Sequence, residues 1–242
     1  MRAIRNRVCG ALGSLFTLVC TSLACAGSAR AGDATEFWPE LNGFVQLNER
    51  SRAFFDVAYA LGKESDVKSG NLAAFLDVSL KPIARMRRDL LTDDSQRNKY
   101  LWARVGYDRI FEATDSAGVE VVENRGVAAL YGRAPLPAAV WLETRTRADF
   151  RWIGGEYSNR YRLRLDLSRE FAMRDRAVVP YCNFEWFYDT RYDDWARTLL
   201  TLGAEVTMSD RFRWEVYVAR QADRLPDEKD LDALGVVLKW YH

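Results

Sequence analysis

Arg160–Phe171 reads RYRLRLDLSREF, with a charge or hydroxyl at 160, 162, 164, 166 and 168 and Tyr or Leu at 161, 163, 165 and 167. At the helical period the arginines would be smeared around the whole circumference. At period two they fall on one side and the leucines on the other, so the stretch is a β-strand. The segment before it, VWLETRTRADFRW (140–152), keeps the same rhythm. Leu142, Thr144, Thr146, Ala148, Phe150 and Trp152 share one face, and Glu143, Arg145, Arg147, Asp149 and Arg151 share the other. Gly154-Gly155 supplies the turn between the two.

Working outward, the same alternation predicts strands over Gly43–Asn48, Arg52–Ala60, Ala73–Ile83, Tyr100–Asp108 and Glu123–Arg133. It continues over Val179–Asp189, Arg197–Thr207, Phe212–Gln221 and Leu234–His242. These join through turn chemistry such as APLP, MSD and LPDEKD. So many long strands with short connections need closure, because an open sheet of this size leaves unpaired edges. The predicted fold is all-β: a closed antiparallel up-and-down transmembrane barrel of about 12 strands (range about 10–12), with a charged lumen. An even count is usual, and the strand needed to complete it is expected within Pro82–Asn98.

Alternation alone does not say which face points inward, since a soluble barrel would bury the leucines. Three features favour leucine outward. The segments keep phase for longer than the usual globular strand of about 5–6 residues and match the roughly 9–11 residues of a tilted bilayer span. Aromatic residues gather near strand ends, as at Trp141 and Trp152, Tyr157 and Tyr161, and Trp240 and Tyr241, where rings anchor at both lipid interfaces. Beyond residue 31 there are 25 arginines against six lysines, and the guanidinium fork suits a confined space in which each charge needs a carboxylate neighbour. Turning the Arg160 strand by one residue would present arginines to lipid at about 2–4 kcal/mol each near the midplane.

The predicted lumen residues are therefore Glu143, Arg145, Arg147, Asp149, Arg151, Arg160, Arg162, Arg164, Asp166, Glu185, Asp189, Arg197, Glu205, Arg213, Glu215 and Gln221.

The first thirty-one residues read as a cleaved signal peptide: a basic start MRAIRNR, the uncharged run VCGALGSLFTLVCTSLACA, and the small-x-small triplet Ala29-Arg30-Ala31. A membrane helix and lipoprotein processing at Cys25 fit that segment less well. Cleavage after Ala31 leaves a single domain over residues 32–242 and removes four arginines and no acid, so 35 basic and 34 acidic residues become 31 and 34. A near-neutral exported chain without a basic block is not a nucleic-acid binder. Cys182 is the one cysteine after the leader, so no internal disulfide is expected. Its phase with Phe184, Trp186 and Tyr188 puts it on the apolar face.

The stretches FWPELNGFVQLNERSR (37–52), WARVGYD (102–108), VPYCNFEWFYDTR (179–191) and EVYVARQAD (215–223), with the Arg145-x-Arg147 and Arg162-x-Arg164 pairs, resemble a bacterial family catalogued as domain of unknown function 2490. The resemblance implies an exported outer-membrane barrel and no assigned reaction. Its final strand, LGVVLKWYH, fits such a protein except that His242 stands where an aromatic terminus is expected.

Chemistry is scarce. The one histidine is the last residue, so a Ser-His or Asp-His mechanism and a His- or Cys-ligated zinc site lack their parts. Glu185 with Asp189, and Glu143 with Asp149, could serve as acid and base, but their in-phase arginines argue for ion pairing. The acidic turn Asp189, Asp193, Asp194 could collect Ca²⁺ but lacks a supporting glycine and reads as a solvated turn. The expectation is a non-enzymatic barrel with no cofactor and no metal. Its surroundings would be outer-membrane lipid and the barrel-insertion machinery, with a narrow path for small polar or ionic solutes or an envelope-structural role. The rivals are a soluble periplasmic ligand-binding barrel and a carboxylate-dependent hydrolase of envelope lipid or glycan.

Overall fold

The computed structural model describes residues 34–62, 67–80, 100–112, 121–173, 176–224 and 230–242. The leader over residues 1–31 and the strand expected within 82–98 lie outside the described residues. Among the described residues twelve strands form one sheet: β1 (Ala34–Gln46), β2 (Ser51–Leu61), β3 (Val67–Ser79), β4 (Leu101–Glu112), β5 (Val121–Pro135), β6 (Val140–Ile153), β7 (Glu156–Arg169), β8 (Phe171–Met173), β9 (Arg176–Asp189), β10 (Asp194–Thr207), β11 (Phe212–Asp223) and β12 (Leu231–Tyr241). The three-residue β8 only prolongs the β7–β9 hairpin, so eleven long strands make the wall.

Each long strand pairs antiparallel with the next, and β1 then pairs with β12, closing the barrel. That closing pair is parallel, from Ala34 opposite Leu231 to Phe44 opposite Tyr241. An even count would have returned the last strand antiparallel to the first; eleven alternating strands bring it back pointing the same way. His242 extends the seam, donating its N–H to the Phe44 carbonyl at 2.8 Å and accepting from Gln46 N–H at 2.9 Å. The unusual terminal residue therefore continues the ladder, with its ring 5.6 Å from that of Trp240.

Side-chain direction follows the period of two. On β7, Tyr161, Leu163 and Leu165 are exposed, whereas Arg160, Arg162, Arg164 and Asp166 are turned inward and partly buried. Leu41, Leu72, Val105, Leu130, Val216, Val218 and Leu234 are likewise exposed near the middle of their strands. Exposed rings flank this belt. Tyr59, Tyr107, Trp152, Tyr157 and Trp195 lie toward the rim that carries the Gly154-Gly155 turn, and Phe171, Phe212, Trp214 and Trp240 lie toward the other. The largest fully buried side chains are carboxylates: Glu123, Glu185, Asp77, Asp149 and Asp189. A soluble domain buries its grease and exposes its charge. This molecule does the reverse, which is the polarity of a transmembrane barrel.

Gly154 (φ 58°) and Gly155 (φ 92°) both take positive φ, which the tight β6–β7 hairpin turn demands and glycine meets without strain. Gly235 has a different role. A Cβ there would collide with the Tyr217 ring, which lies across the gap that glycine leaves in the inner wall of β12. At Gly126 a Cβ would find its nearest neighbour at 3.8 Å, an ordinary contact. Gly235→Ala is therefore expected to cost about 1–3 kcal/mol through overpacking, and Gly126→Ala less than about 0.5 kcal/mol. Urea titration of the barrel refolded in lipid vesicles checks the pair; equal midpoints would contradict the packing role given to Gly235.

Candidate functional site: the charged lumen

The inward faces enclose a cavity of about 820 Å³. Its walls are charged because the register stacks in-phase arginines and carboxylates side by side. On β6 and β7, Arg145 stands opposite Arg164 and Arg147 opposite Arg162. Like charges set directly opposite destabilise a sheet unless counter-charge intervenes. It does. Glu185 on β9, 2% exposed, accepts from Arg145 at 2.5 Å and from Arg162 at 2.7 and 3.1 Å. Asp149, wholly buried, is bonded by Arg147 and lies 3.9 Å from Arg162.

The pattern repeats toward both rims. Arg151 reaches Glu123 on β5 with one edge of its fork and Asp189 on β9 with the other, the latter at 2.5 Å, so one side chain ties together strands three places apart in the wall. Arg160 adds a contact to Asp189 at 3.0 Å. Toward the opposite rim Asp77 accepts from Arg52 at 2.9 Å and from Arg104 at 2.6 and 3.0 Å. Glu143 holds Arg133 and lies 3.6 Å from Arg164. On the far wall Lys239 binds Glu205 at 2.8 Å and also Glu215, while Arg197 binds Asp223 at 2.5 Å. A planar, permanently charged fork can serve two carboxylates at once, which explains why arginine outnumbers lysine here.

Aromatic rings occupy the inner wall near the rim where β1 ends. Tyr241, Phe44, Phe54 and Phe75 form a stacked arc with centroid spacings of 4.7, 4.8 and 5.5 Å. Guanidinium groups cover their remaining faces: Arg213 over Tyr241 at 4.3 Å, Arg52 over Phe44 at 4.3 Å and Arg104 over Phe54 at 4.1 Å. Desolvated cation–π contacts of this kind are worth about 2 kcal/mol. Stacked on one another and on arginine, these rings brace the wall.

Of the sixteen residues expected at the lumen, Glu143, Arg145, Arg147, Arg162, Arg164, Asp166, Glu185, Arg197, Glu205, Arg213, Glu215 and Gln221 line the cavity. Asp149, Arg151, Arg160 and Asp189 sit on the same inward phase, packed within the ion-pair network behind that surface. Glu185 with Asp189, and Glu143 with Asp149, are each engaged by arginines. Asp189 of the acidic turn points inward to Arg151 and Arg160, and Asp193 accepts from the Tyr188 hydroxyl. Cys182 stands on the outward phase, half-buried between Pro180 and Phe184.

Sequence reasoning missed most of the lumen residues on β1 to β5, namely Glu36, Glu40, Asn42, Arg52, Asp56, Arg104, Asp108, Arg125 and Arg133, and Lys239 on the last strand. Their strands carry inward aromatics and alanines, which blur the polarity contrast. The weaker signal was still there, in the alternation of Glu36, Trp38, Glu40 and Asn42 across Pro39.

Residues 35–232 match the family model described as Protein of unknown function (DUF2490). The chain belongs to that family. No curated protein matches this DUF2490 member. Among solved structures it is similar to an anion-selective porin from Comamonas acidovorans, at 11% identity and a TM-score of 0.37, over 78% of this chain and 53% of the porin. The DUF2490 chain thus spans about half the length of that porin.

Proposed function

We propose that this DUF2490 protein is a non-enzymatic barrel of the bacterial outer membrane whose lumen is a narrow path for small polar and ionic solutes. The observation that carries the reading is the inverted polarity: an exposed apolar belt between two rows of rings, around a charged cavity of about 820 Å³. Lipid covers such a belt, and water and ions fill such a lumen. A soluble ligand-binding barrel would leave leucines in water and charges inside. The two carboxylate pairs that the sequence offers to a hydrolase, Glu185 with Asp189 and Glu143 with Asp149, are occupied by guanidinium partners. Delivery to the membrane would use a cleaved leader and the barrel-insertion machinery, which reads the last strand.

Planar-bilayer recordings test the path. Stepwise current in potassium chloride is the expected result. Arg164→Gln, which removes a guanidinium held by one 3.6 Å contact to Glu143, is expected to lower the anion-to-cation permeability ratio about twofold. Silent bilayers from correctly refolded protein, identified by heat-modifiable migration on a gel, would reject the solute path.

A further inference from the structure

The lumen's charges are unevenly paired around its circumference. On β1 and β2 the inward-facing acids Glu40 and Asp56 are diagonal neighbours in the register, Glu40 standing opposite Ala58 and Asp56 opposite Asn42, and both line the cavity. Their hydrogen-bond partners are amides: Asn42 Nδ2 donates to Glu40 at 2.6 Å and Asn71 Nδ2 donates to Asp56 at 2.6 Å. No cation makes an ion pair with either carboxylate among the described residues. Asn42 is 5% exposed, yet its Oδ1 has no hydrogen-bond partner, and neither does Asp56 Oδ1. Oxygen atoms with unused lone pairs therefore crowd one patch of the wall. A buried acceptor left unmade in this way is costly unless something fills it.

What faces that patch follows from the register. From Glu40 the ladder runs through Ala58, Asn71, Ile110 and Glu123 to Ile153 on β6. From Trp38, two positions earlier on β1, the opposite circuit through β12, β11, β10, β9 and β7 ends at Trp141 on β6. Tilted strands make any circuit climb or descend, so the β6 residues at the height of Glu40 lie midway between those end points, at Arg145 and Arg147. Their β7 partners are Arg164 and Arg162. β1 is separated from β6 by four strands one way and five long strands the other, so the two patches face each other across the cavity. Within the basic patch Arg145 Nε and Arg164 Nε are buried without hydrogen-bond partners. All of these residues line one cavity.

We propose that this level of the lumen is a binding station for small zwitterions, with the ammonium end at Glu40 and Asp56 and the carboxylate end at Arg145, Arg147, Arg162 and Arg164. Opposite charges on facing walls do not neutralise each other as contact pairs do; they set up a field across the lumen, strengthened by low-dielectric surroundings. A solute carrying both signs lies along that field. A singly charged solute satisfies one wall and leaves the other bare. The inference rests on the solute-path reading only for how such a molecule arrives.

The test is binding to the full-length refolded barrel in detergent, by calorimetry, with 4-aminobutanoate, butanoate and butylamine as probes. The zwitterion is expected to bind about tenfold more tightly than either singly charged probe, and Glu40→Gln and Asp56→Asn are each expected to erase that preference while butanoate binding changes less than about twofold. Equal affinity for 4-aminobutanoate and butanoate, no binding of any probe, or an undiminished preference in both folded variants overturns the station. Bilayer current separates the two readings. Current without the zwitterion preference sinks the station and keeps the path; the preference without current sinks the path and keeps the station.

Discussion

Glu185→Leu is expected to destabilise the barrel by about 3–5 kcal/mol, because it strands two guanidinium groups that share one buried carboxylate. Glu185 accepts from Arg145 and Arg162, which rise from neighbouring strands β6 and β7, while β9 carries the acid itself. Taking away the acid leaves Arg145 opposite Arg164 and Arg147 opposite Arg162 with less counter-charge between them. Urea-dependent folding into lipid vesicles, followed by tryptophan fluorescence, measures the loss. Glu185→Gln keeps an acceptor oxygen and is expected to fall between wild type and Glu185→Leu. A loss under about 1 kcal/mol for the leucine variant would mean that the arginines find other partners and that the network is not a structural unit.

Leu163→Arg is the complementary change. Leu163 lies at the centre of β7, 40% exposed, between inward-facing Arg162 and Arg164. If lipid covers this face, the substitution costs about 2–4 kcal/mol and lowers the yield of the folded, heat-modifiable form. If water covered it, an arginine there would be nearly neutral or would improve solubility. The sign of the result therefore decides the environment of the whole outer belt, and a variant as stable as wild type would remove the membrane from the account. Arg162→Leu is no control for it, since that change breaks the Glu185 pair.

The C-terminal half of the barrel was legible in the sequence because each strand there alternates without interruption. From Val140 to Arg169 the polar phase is arginine and carboxylate and the apolar phase is leucine, threonine and ring, so period, face and turn all agree. The expected segments correspond one for one to the eleven long strands. Boundaries were poorer in the N-terminal half. β1 begins nine residues before the expected Gly43, because Pro39 and Gly43 look like punctuation. Both fall on the outward phase of β1, which leaves its inward row of Glu36, Trp38, Glu40 and Asn42 intact. β3 begins at Val67 rather than Ala73, across a Gly70 that reads as a turn. Phe44, Phe54 and Phe75 point inward, so a rule that places rings outside assigns β2 and β3 weakly. Cross-lumen relationships such as Glu40 against Arg147 were out of reach, since they depend on closure and shear, which no single strand encodes.

The parallel seam between β1 and β12 carries a topological consequence. A wall built from an odd number of strands starts and finishes at different ends of the barrel, so Ala34 and Tyr241 emerge at opposite mouths. With lipid around the wall, labels attached at Ala34 and at Tyr241 would be reached by reagents from separate compartments.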